Sequence, residues 1–126
     1  MAGARATVEG WRQAYQVKSY DTLAKLYVQS LELVVVEAGT PLVGWTSVEG
    51  MLKDRFARYK DVVIRLKDIQ VTALGGTAAV ATASMTRELG DGVTTITEGG
   101  ALTVVLRKEG DAWLIVAEHY SYKRGN

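Results

Sequence analysis

Apolar positions along the chain change period half-way. In the first sixty residues they recur every three or four positions. Ala4, Val8, Trp11 and Tyr15 fall on one face of a helix. Asp21 has the chemistry of an N-cap for a short second helix with Leu23, Leu26 and Tyr27 on its apolar side. Residues 31–36 form a β-branched run that reads as a strand and is broken by Gly39-Thr40-Pro41. Thr46 and Glu49 have capping-box spacing, which predicts a third helix with Val48, Met51, Leu52, Phe56 and Tyr59 as its buried stripe.

From Asp61 the period becomes two. Ile64 and Leu66 alternate with Arg65 and Lys67, then Ile69, Val71 and Ala73 with Gln70 and Thr72. The step of three from Leu66 to Ile69 predicts a β-bulge near Asp68. Gly75-Gly76, Gly90-Asp91-Gly92 and Gly110-Asp111 read as hairpin turns between four long strands. Gly99-Gly100 falls inside the third of these, where glycine marks a bend or the close approach of another group. The expectation is a single α+β domain over residues 1–126. Three N-terminal helical segments pack on a curled antiparallel sheet and leave a cone-like pocket at one end.

Composition narrows the chemistry. The chain is 48% hydrophobic and 23% charged, with fifteen basic against fourteen acidic residues and a formal net charge of +1. Such a balance speaks against nucleic acid as a partner, and no charge run suggests a membrane surface. The absence of cysteine removes disulfides, thiolate nucleophiles and Cys-based zinc sites. With one histidine, no metal and no cofactor is expected. No signal-like or membrane-length apolar run appears, so a cytoplasmic location is the default expectation.

Several stretches resemble the NTF2-like superfamily, especially its SnoaL-like and DUF4440-like members and the association domain of calcium/calmodulin-dependent kinase II. They are Val34-Val-Val-Glu37-Ala-Gly39, Leu42-Val43-Gly44 with the helix near Ser47, residues 103–113 with Thr103, Arg107, Lys108 and Trp113, and the His119-x-Ser121 ending. The resemblance implies the cone fold. It leaves isomerases, dehydratases, polyketide cyclases, ligand-binding proteins and oligomerisation hubs all open. Two departures concern arginine: Ser84 and Ala101 stand where relatives carry an anion-holding guanidinium.

Candidate chemistry centres on His119, the only histidine. Unbroken alternation puts it with Trp113, Ile115, Ala117 and Ser121 on the inner face, opposite Leu102 and near Glu98. Glu98 and His119 are then a candidate acid–base pair. The alternatives are a structural histidine bonded to a backbone carbonyl or to Ser84, and a Glu98 turned to solvent. Trp11, Tyr15, Trp45, Phe56 and Tyr59, with Ser84 and Leu102, are the candidate pocket lining or else core. Trp45 is expected in a loop as a lid, and Tyr15 as a hydrogen-bond donor to a carbonyl. Arg55 and Arg58 read as a wet helical face, and Arg87 as a solvated hairpin end. Glu118, with Val63, Val105, Val116 and Tyr120, is expected on the outer face, where a homodimer would form. Three functions remain: a small-molecule binder, a proton-transfer enzyme, or an oligomerisation module.

Overall fold

Helix α1 (Ala2–Gln16) buries Ala4, Val8, Trp11 and Tyr15 as its period requires. The computed structural model describes residues 2–125. After α1, Lys18 takes a positive φ of 56°, a conformation more usual for glycine at a helix end. Its ammonium donates to the carbonyls of Phe56 and Tyr59 at 2.9 and 2.7 Å, tying the end of α1 to the end of the third helix. Helix α2 (Tyr20–Ala24) is capped by Ser19, whose Oγ accepts from the Thr22 amide; Asp21 lies in the first turn instead.

The β-branched run is strand β1 (Val34–Glu37), and the expected break contains a second strand, β2 (Thr40–Val43). Ala38 and Gly39 both have positive φ, which suits a two-residue turn, and Val36 pairs with Pro41. Helix α3 (Trp45–Arg58) begins one residue before the expected capping box, after Gly44 and without a side-chain cap. Glu49 instead accepts from the Tyr20 hydroxyl at 3.0 Å. Trp45 is thus the first residue of α3, packed 6.1 Å from Tyr27, and not a loop lid.

Four long strands follow: β3 (Asp61–Ala73), β4 (Ala78–Gly90), β5 (Thr95–Glu109) and β6 (Ala112–Arg124). The single curled sheet runs β2-β1-β6-β5-β4-β3, antiparallel except where β1 lies parallel to β6. The helices cover its inner face, where the apolar core forms. The register slips between Lys67 and Gln70, with Asp68 at φ 58°, so the expected bulge is present.

A second slip, in β6, was not anticipated. Val105 pairs with Ala117 but Leu106 with Ile115, so Val116 is an extra residue. A bulge of this kind reverses the faces of everything after it. Ile115 is buried, and the next inward residues are Glu118 and Tyr120. Leu102 therefore pairs with Tyr120, and His119 pairs with Thr103 on the exposed outer face. This overturns the inward placement of His119 and the outward placements of Glu118 and Tyr120.

Candidate functional site

The inner face of the sheet carries a chain of ion pairs at one end of the cone. Strict alternation along β4 puts Arg87 in series with Ala79, Ala81, Ala83, Met85 and Leu89, all buried. Its cross-strand partner is Glu98 on β5, and the Arg87 Nε donates to Glu98 Oε1 at 2.7 Å. The side chains are only 4% and 0% exposed. Arg124, near the end of β6, reaches the other oxygen of Glu98 at 3.3 Å. Glu37, the last residue of β1, takes Arg55 from α3 at 2.7 Å and lies 2.9 Å from Arg87. Three guanidinium groups thus share two carboxylates.

This geometry corrects two expectations. Arg87 is no solvated hairpin end. Arg55 is no wet surface residue either, because it lies three and four positions after the inward Leu52 and Met51. The outer part of that helix face does hold the expected Asp54–Arg58 pair, at 3.0 Å.

Deeper in the cone a hydrogen-bond chain runs through buried groups. The indole Nε1 of Trp11 donates to the Tyr27 hydroxyl at 2.8 Å, and that hydroxyl donates to Glu118 Oε1 at 2.6 Å. Tyr15 accepts from Arg55 at 3.1 Å and packs edge-on against Trp11 with ring centroids 5.1 Å apart, so it lies between this chain and the ion pairs. Burial dominates the carboxyl of Glu118 and pushes it up to about 7 against the pull of the Tyr27 bond, while Glu37 adds repulsion and Arg55 and Arg87 oppose it. Burial also penalises the charge on Glu37, but Arg55 and Arg87 outweigh it and hold that carboxyl below its usual range. Tyr15 is raised to about 12, mainly by burial.

Two buried oxygens have no hydrogen-bond partner among the described residues: Glu37 Oε1 and the Tyr120 hydroxyl. The contact of Glu37 Oε1 with Arg87 is therefore an ion pair by distance and not a well-aligned bond. The Tyr120 ring lies 4.9 Å from the Arg87 guanidinium, so both orphans belong to the same cluster.

The cluster opens into a cleft of about 200 Å³ between the β1–β2 hairpin and α3. Val35, Thr40, Leu42, Met51 and Tyr122 wall it, with Glu37 and Arg55 at its polar side. A second cleft of about 160 Å³ shares Met51, Arg55 and Tyr122 and continues along Asp54, Arg58, Tyr59, Arg87, Leu89 and Arg124. No group of three or more His, Asp or Glu side chains among the described residues is placed to hold a metal ion.

Of the residues expected at the site, Glu98 does face inward, yet it is tied to Arg87 and Arg124 and stands apart from any histidine. Ser84 is exposed on the outer face. Trp11, Tyr15 and Leu102 are buried core residues, the first two bonded into the polar network. Phe56 packs edge-on against Tyr15 at 5.6 Å, and Tyr59 lines the second cleft. Glu37, Arg55, Arg87, Glu118 and Tyr122 escaped the sequence reading. Helix and strand periods carried a signal for Arg55 and Arg87; none existed for Glu118, whose face depends on the bulge.

A family model described as the SnoaL-like domain matches residues 4–124. No curated protein matches. Among solved structures, a Streptomyces avermitilis protein provisionally named a dehydratase of the NTF2-like family superposes with a TM-score of 0.86 at 19% identity, covering 95% of this chain and 93% of that one. A Novosphingobium aromaticivorans protein provisionally named scytalone dehydratase gives 0.87 at 12%, over 98% and 83%. A Thiobacillus denitrificans protein provisionally named a calcium/calmodulin-dependent kinase II association domain gives 0.74 at 18%, over 93% and 92%. At these identities the likenesses establish the NTF2-like fold. With its helices on a curled six-stranded sheet and the family match spanning nearly all of it, the chain belongs to the SnoaL-like family of the NTF2-like superfamily.

Proposed function

We propose that the chain binds a small molecule with an apolar body and a carbonyl-type oxygen in the cleft between the β1–β2 hairpin and α3. One observation carries this reading. The Arg55–Glu37 pair, at 2.7 Å and mostly buried, opens into a cleft otherwise walled largely by Val35, Leu42, Met51 and Tyr122. Apolar walls with a few fixed polar groups are the usual make-up of a ligand site. As part of the same reading the chain works in the cytoplasm, where a fold without disulfides is stable. It also pairs with a second copy through the outer face of its sheet.

The test is a chemical-shift titration with cyclohexanecarboxamide. The Met51 methyl and Tyr122 ring signals should move in the parent and stay still in Leu42→Trp, which fills the cleft from an edge strand. Equal movement in the variant would sink the reading.

A second reading has one observation behind it. Glu118 titrates near neutrality and accepts a 2.6 Å bond from Tyr27, so it suits proton transfer better than His119, which lies on the opposite face. In this reading Glu118 is the acid–base group for an isomerisation, dehydration or cyclisation, and Arg55 polarises the carbonyl.

A further inference from the structure

We propose that the arginine-lined cleft between the end of α3 and strands β4 and β6 takes the negative charge of a small organic acid whose apolar part lies in the adjoining cleft. The inference rests on the binding reading above and names the class of ligand.

The first support is a charge count. Arg55, Arg58, Arg87 and Arg124 line this cleft, with Asp54 as the one carboxylate in its wall. Their carboxylate partners are Glu37, Glu98 and Asp54, and Glu37 and Glu98 are each divided between two arginines. Four positive groups against three negative ones leave one positive charge unmatched, so one monoanion completes the site. Guanidinium groups suit that task, since they present several N–H donors in one plane.

The second support is shape. Neither cleft alone reaches the ~300 Å³ at which ligand pockets usually begin, but the two share Met51, Arg55 and Tyr122. A molecule spanning both would put carbon against Val35, Leu42 and Met51, and its acidic group among the arginines. Tyr122 stands at the join, with Arg87 at 5.5 Å and Arg124 at 6.0 Å from its ring centroid. Arg124 is 57% exposed, so it can shift to meet an incoming anion.

The third support is electrostatic coupling. The charged and titratable groups that act on Glu118 are Tyr15 from α1, Tyr27 after α2, Glu37 from β1, Arg55 from α3 and Arg87 from β4. Ionised Glu118 would cancel the unmatched positive charge. An anion in the arginine cleft therefore favours the protonated carboxyl, and binding near pH 7 takes up protons.

The test is calorimetric titration of the full chain with butanoate, cyclohexanecarboxylate and 2-naphthoate, and with their neutral amides. Acids that fit should bind at least about tenfold tighter than their amides. Arg124→Gln should remove most of that preference. Measured in buffers of different ionisation enthalpy, acid binding at pH 7 should take up a fraction of a proton in the parent and none in Glu118→Gln. Equal affinity for acid and amide, or an acid preference that survives Arg124→Gln, overturns the inference while the cleft reading stands. Amide binding that survives Leu42→Trp overturns the cleft reading itself. If no acid in the series binds, the inference falls, and if the amides do not bind either, the cleft reading falls with it.

Discussion

Glu118 sits in the interior with a single strong hydrogen-bond partner, Tyr27, and titrates near neutral pH. Stability must respond. Its folded-state pKa of about 7 lies above the ordinary carboxyl value, so the unfolded chain gives up the proton first. The stabilisation is whole below about pH 4 and is lost as pH rises through about 7, a fall on the order of 3 kcal/mol. Glu118→Gln keeps an acceptor for Tyr27 and removes the charge. Its thermal midpoint should exceed the parent's at pH 8, and the gap should close at pH 4; an equal gap at both would refute the assignment. The residues of this site were only partly legible beforehand. Arg55 and Arg87 follow the periods of their elements, yet their charge argued for solvent. Only the meeting of several elements supplies the carboxylates that allow them inside.

At the scale of elements, the two bulges explain which parts of the sheet could be read. Around Asp68 the slip is visible because Ile64 and Leu66 before it, and Ile69 and Val71 after it, are apolar. Around Val116 it is hidden. The inner series after the slip is Glu118, Tyr120 and Tyr122, while the outer one includes Val116 and Ala117. A buried glutamate makes an inner face look like an outer one. The glycine pair in β5 was legible as a place of close approach: a Cβ on Gly100 would sit 1.9 Å from the Ser121 carbonyl oxygen, across the β5–β6 pair. Gly100→Ala must push β6 away just where Tyr122 and Arg124 reach the clefts. It should cost about 1–3 kcal/mol in denaturant unfolding, as overpacking usually does. Gly99→Ala, whose Cβ would meet its nearest neighbour at 4.0 Å, should cost far less, and similar losses at both would contradict this account.

For the whole molecule, the concave side is filled by helices while the other side of the sheet lies open. There Val34, Val36, Thr103, Val105, Ala117 and His119 line a shallow apolar depression. Two copies meeting across it would place His119 close to the interface, a role that needs no acid–base chemistry. Sedimentation at micromolar concentration should show a dimer in the parent and a monomer in Val105→Glu. A monomeric parent would defeat the pairing. The cone itself was legible from period and turn positions. Its filling was not, because the tyrosines and arginines that occupy it belong to no single pattern.

The borders of the sheet set how far any association can go. One outermost strand, β2, carries Pro41, which has no N–H to offer a newcomer; the other, β3, is interrupted at Asp68. Both discourage the addition of further strands. Growth into ribbons or fibres is thereby disfavoured.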